Sequence, residues 1–139
     1  MTKIERAACL LAATLAGCGG PPPSLGPPSP HGGSLFRLTD GRSTVEVVRR
    51  DAPDKPGQAR LSLYFFDPGL KPKVPGPTVA TLKPKERGAR PVEFKPTGDA
   101  DPARAGELAA APFEAPGDVA GELSATVDGK PVTATINVR

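Results

Sequence analysis

Tryptophan is absent from this chain, and histidine, tyrosine and methionine occur once each, as His31, Tyr64 and Met1. Cysteine occurs twice, and aromatic residues make up only 4% of the sequence. These shortages exclude much chemistry. One histidine does not make an imidazole-rich copper or zinc centre. Nucleophilic hydrolysis needs a base oriented beside Ser or Cys. There is no Gly-x-Ser-x-Gly elbow and no glycine-rich loop opening a helix to cradle phosphate. The net charge of +3 is too slight for a nucleic-acid footprint, and no aromatics interleave with the cations for base stacking.

Proline and glycine, by contrast, are plentiful, at 19 and 16 residues. Many of them fall between Gly19 and Gly33. Gly19-Gly20-Pro21-Pro22-Pro23 and Gly26-Pro27-Pro28-Ser29-Pro30 have no periodic apolar face, and proline lacks an amide donor. The stretch reads as a tether. At ~3.1 Å per residue in polyproline II, its 15 residues reach up to about 45 Å.

Before the tether stand a basic start, with Lys3 and Arg6, and an apolar run from Ala7 to Ala16. Ten residues at ~1.5 Å rise span about 15 Å, half a bilayer core. That suits a signal peptide, not a permanent transmembrane helix. The run closes on Leu15-Ala16-Gly17-Cys18: an aliphatic residue, two small residues and cysteine. It resembles the lipobox of bacterial lipoproteins. The resemblance implies cleavage before Cys18, lipidation of its sulfur and removal of residues 1–17, Cys9 among them. It places the rest of the chain outside the cytoplasm, held at a bacterial membrane by lipid on Cys18, in the cell envelope. No thiol pair is then left for an intrachain disulfide.

Residues 34–139 read as one all-β domain. Alternation and turn signals predict strands over 35–38, 44–50, 60–66, 78–82, 92–95, 121–127 and 131–138. Asp128-Gly129 makes the last two a hairpin. In the strand over 44–50, Val45 and Val47 share one face with Arg49, while Glu46 and Arg50 face out with Val48. Residues 103–111 are ambiguous. Asp101-Pro102 would cap a short helix that Gly106 and Pro112 weaken; the rival reading, favoured because a sandwich needs it there, is a strand over 106–111. Seven or eight short antiparallel strands suggest a β-sandwich. The order of strand, Ala115-Pro116-Gly117-Asp118 corner, strand, Asp-Gly turn and last strand resembles immunoglobulin-like modules of secreted bacterial proteins. That likeness implies architecture only.

Few residues are left as candidates for chemistry. His31 lies where tether meets domain and reads as a linker residue, with metal ligation as the alternative. Glu46, Glu93, Glu107, Glu114 and Glu122 are scattered singly. Leu70-Lys71-Pro72-Lys73 recurs as Leu82-Lys83-Pro84-Lys85, and with Arg87 and Arg90 it concentrates cations between 71 and 95. These read as solvated turns or as one basic face toward lipid or wall polymer. The expected function is a non-enzymatic binding or accessory module without cofactor, whose partner is an envelope protein or polymer. The alternative is copper or zinc handling through His31.

Overall fold

The structure, a computed structural model, describes residues 28–139 except 75, 99 and 116. Leu15, Ala16, Gly17 and Cys18, Cys9 and the tether as far as residue 27 lie outside the described residues. From Ser34 the chain is all-β. The strands are β1 (Ser34–Arg37), β2 (Thr44–Asp51), β3 (Gln58–Phe66), β4 (Ala80–Pro84), β5 (Val92–Pro96), β6 (Leu108–Ala109), β7 (Phe113–Glu114), β8 (Val119–Val127) and β9 (Lys130–Val138).

The C-terminal hairpin is built as its alternation requires. Val119, Leu123, Ala125 and Val127 of β8 face inward, and so do Val132, Ala134, Ile136 and Val138 of β9. The register pairs Leu123 with Ala134 and Ala125 with Val132. Asp128 and Gly129 turn the chain at φ 51° and 75°, the left-handed pair that a two-residue hairpin loop needs.

Strand order is β1-β2-β3-β6-β5-β4-β8-β9, antiparallel throughout, with β7 pairing β3 beside β6. The path is one continuous sheet. Its inner faces share a single core, with Val45, Leu61 and Leu63 from one half and Leu82, Phe94, Leu123 and Ile136 from the other. Just past β1, the Thr39 amide donates to the Thr133 carbonyl and the Thr133 amide to Thr39 Oγ1, each at 3.0 Å. That contact draws the two ends of the sheet together, so the molecule is nearly a barrel. The described strands number nine, more than the seven or eight expected, and follow one curled antiparallel path.

The ambiguous segment takes something from both readings. Pro102–Arg104 is a 3-10 turn, and the Asp101 carboxylate accepts from the Ala103 amide as its cap. A strand follows, but Pro112 interrupts it, so β6 and β7 are two short pieces on one edge of β3. Between β5 and β6 only two residue pairs form, Lys95 with Ala109 and Pro96 with Leu108. Beyond them β5 and β7 diverge.

Candidate functional site

Two places among the described residues stand out as candidate sites. One is a polar cluster on the outer face of β2 and β3. The other is the cleft where β5 and β7 diverge.

The cluster starts from Glu46. Its position in β2 faces away from the core, as the alternation predicts, yet it is fully buried. The cover is the lead-in segment before β1. Glu46 Oε1 accepts from the backbone amides of His31 and Gly33, each at 2.9 Å. Glu46 Oε2 lies 2.8 Å from His31 Nδ1. Gly33 permits this close approach: a Cβ there would stand 2.5 Å from the Val47 carbonyl oxygen. The imidazole stacks on Tyr64 of β3, with ring centroids 3.7 Å apart and planes 9° apart. Its Nε2 sits 3.0 Å from the Ala103 carbonyl of the 3-10 turn. His31 is therefore not the linker residue expected from its place beside the tether. It is a packed residue that fastens the lead-in chain to the sheet and to the 97–107 connection.

Glu107 is the second buried acid, also missed as such in the sequence. Arg104 Nε donates to its Oε2 at 2.7 Å, and Thr97 Oγ1 lies 3.4 Å from the same oxygen. Burial pushes the Glu107 carboxyl up, but bonds from Arg104, Ser62 and Tyr64 and the Arg104 charge outweigh it. The group ends below its ordinary value. Tyr64 moves the other way: burial and the Glu107 charge raise the phenol, against weaker pulls from Arg50 and Arg104. The Tyr64 hydroxyl and Glu107 Oε1 are buried without a well-formed hydrogen bond, though each feels the other. Val48, Tyr64, Phe66 and half-buried Leu70 form a second small apolar cluster beside these groups.

The His31–Glu46 half of the cluster is satisfied from within. Both His31 nitrogens face protein acceptors, and both Glu46 oxygens have protein donors. Among the described residues, no group of three or more His, Cys, Asp or Glu could hold a metal ion.

The cleft differs in kind. It has a volume of about 1180 Å³ and runs between the β4–β5 loop and residues 111–115 and 117–120. Val92, Phe113 and Val119 line it apolarly, with Arg87 and Arg90 on one wall and Glu114 on the other. Pro91 and Pro112 stand at its two facing edges, where they remove amides that would otherwise invite an added strand.

The repeated lysine words do not form one face. Lys73 lies at the β8–β9 turn, where its Nζ meets Asp128 Oδ2 at 2.5 Å. Lys85 lies at the opposite end of β8, its amide donating to the Ala120 carbonyl at 2.8 Å. Of the scattered acids, Glu93 meets Lys95 at 3.4 Å, Glu93 and Glu114 line the cleft, and Glu122 is exposed on β8. No helix among the described residues is long and apolar enough to cross a membrane. No family model, curated protein or solved structure matches the chain.

Proposed function

We propose that this protein is a lipid-anchored, non-enzymatic binding or accessory module of a bacterial cell envelope. Lipid on Cys18 holds it to the membrane, and the tether presents the β-domain to an envelope protein or polymer. The observation that carries a binding role over a catalytic one is the division between the two places. His31, Glu46 and the Glu107 oxygen held by Arg104 are committed to internal bonds, and the Tyr64 hydroxyl and Glu107 Oε1 are buried away from any ligand. The open concavity is instead walled by prolines, apolar side chains and rim charges, a surface suited to contact. Copper or zinc handling through His31 would require the ring to leave Glu46 or Ala103, and no observation favours it. The immunoglobulin-like sandwich stands as the finer proposal for the fold: the sheet halves share only two residue pairs at β5–β6, and parting there would leave two layers.

Fractionation of cells producing the full chain or Cys18→Ser tests the anchor. The parent is expected in membranes, and the variant as an unprocessed, unlipidated precursor; normal maturation of the variant would mean ordinary secretion. A photo-crosslinking residue at position 90, compared with one at exposed position 126 on β8, tests the cleft. Adducts of one defined size from position 90 alone are expected, and Arg87→Glu should weaken them. Equal adducts from both positions would remove the cleft from the proposal.

A further inference from the structure

His31 faces two acceptors with two nitrogens, and the acceptors are unequal. Nδ1 meets a buried carboxylate at 2.8 Å; Nε2 meets a main-chain carbonyl at 3.0 Å at the exposed edge of the cluster. Where Glu46 accepts through both of its oxygens, neither partner donates to the ring, since a carbonyl only accepts. Only the doubly protonated ring therefore makes both bonds. A neutral ring keeps one N–H and must give up one partner. Turning away from Glu46 would leave its fully buried Oε2 without a partner, whereas the Ala103 carbonyl can turn to water.

We propose that His31 is a proton-dependent latch between the lead-in segment and the 97–107 connection. The protonated ring ties the two together. The neutral ring stays on Glu46 through Nδ1–H, stays stacked on Tyr64 and releases Ala103. The charged groups on the packed elements agree with this order. Glu46 on β2 touches the ring directly, and Arg50 on the same strand acts on Tyr64. On the far side, Arg104 and Glu107 pair with each other, and Asp101 caps the turn carrying Ala103. Release thus frees a turn whose next residue, Arg104, holds the Glu107 carboxylate beside Tyr64. The latch is independent of the anchor. Where the anchor holds, it governs how firmly the last part of the tether is bound to the domain.

Nitrogen-resolved NMR of the His31 ring in the full chain tests the latch, followed from acid to alkaline pH through the ring's change of charge. Both nitrogens are expected to be protonated at the acid end. As pH rises, Nε2 alone should lose its proton, and the Ala103 carbonyl carbon should shift with the same midpoint. Loss from Nδ1 with Nε2–H retained, or an Ala103 carbonyl that ignores the ring, would overturn the proposal. Glu46→Gln gives a second, opposite readout. Its amide oxygen can still accept from His31 and Gly33, while its NH2 donates to a bare Nδ1. Nε2–H then holds Ala103 at all pH values, and the carbonyl shift disappears. A Glu46→Gln protein whose Nε2 deprotonates as in the parent would show that the carboxylate does not choose the tautomer, and would end the idea.

Discussion

The β8–β9 hairpin and the β2–β3 pair are both long antiparallel ladders, yet they are buried differently. On β8 and β9 the inward residues are buried, while the residues between them are exposed or only half-buried. On β2, Val45, Glu46, Val47 and Val48 are all buried, and on β3 so is every residue from Leu61 to Phe66. One ladder is a wall with a wet side. The other is a partition with cover on both sides. The cover on its outer side comes from residues near His31 and from the connection through Ala103 to Glu107, segments with little regular structure. A strand's second face can therefore be buried by chain that shows no periodicity of its own, and such cover must be held by specific polar bonds because it has no ladder.

If those bonds are what hold the cover, the largest effect should come from Glu46. Glu46→Ala leaves the His31 and Gly33 amides and the ring without their acceptor, and should cost about 4 kcal/mol, as expected for breaking a buried pair. Urea unfolding of the full chain reads this directly. The matched change on the wet side of the other ladder, Glu122→Ala, should stay within about 0.5 kcal/mol. Equal losses at the two sites would erase the distinction.

The inner faces should behave alike in both ladders. Leu123→Ala in the hairpin should cost about 3 kcal/mol from lost burial and a cavity, and Leu63→Ala in β3 about the same. Gly33→Ala belongs to the outer cover and should cost about 2 kcal/mol, because its methyl meets the Val47 carbonyl and pushes the lead-in segment off β2. Hydrogen exchange should show that loss as weaker protection of the His31 and Gly33 amides, with the β8–β9 amides unchanged.

These contrasts also explain what could be read from the residues beforehand. The hairpin was legible because Leu123, Ala125 and Val127 alternate with polar residues around an Asp-Gly turn. The Asp101-Pro102 cap was legible for the same local reason. The burial of Glu46 was not, since alternation correctly sent it outward and said nothing of what lay there. Nor was the partnership of His31, because Pro30-His31-Gly32-Gly33 looks like tether until Glu46, fifteen residues on, is seen to bind it. A hint did exist: Val48, Tyr64 and Phe66 made the outward face too apolar to be wet. Sheet closure through Thr39 and Thr133 depends on residues 94 apart, beyond any local pattern.

Acid should separate the two regions more gently. Glu107 sits below its ordinary 4.5, so its bonds contribute stability that is present above that value and is lost as pH falls through the lowered one. Glu107→Gln should flatten this part of the acid unfolding limb without altering the plateau shape near neutrality. An unchanged acid limb would mean that the Arg104 bond gives Glu107 no preference for its charged form.

The smallest effect is expected at the rim of the hairpin. Lys73 and Asp128 meet at 2.5 Å, but the Asp128 side chain is 75% exposed. Water screens such a pair, and ordering two side chains offsets much of the attraction, so Lys73→Ala should cost about 0.5 kcal/mol. Salt sharpens the comparison further. Raising ionic strength to about 1 M shortens the screening length to ~3 Å and should abolish the Lys73 effect. The Glu46→Ala loss should persist there, because ions cannot enter between a fully buried carboxylate and the chain that covers it. A Glu46 effect that fades with salt in step with that of Lys73 would mean that the cover over β2 opens readily, and that the partition is wet on both of its sides.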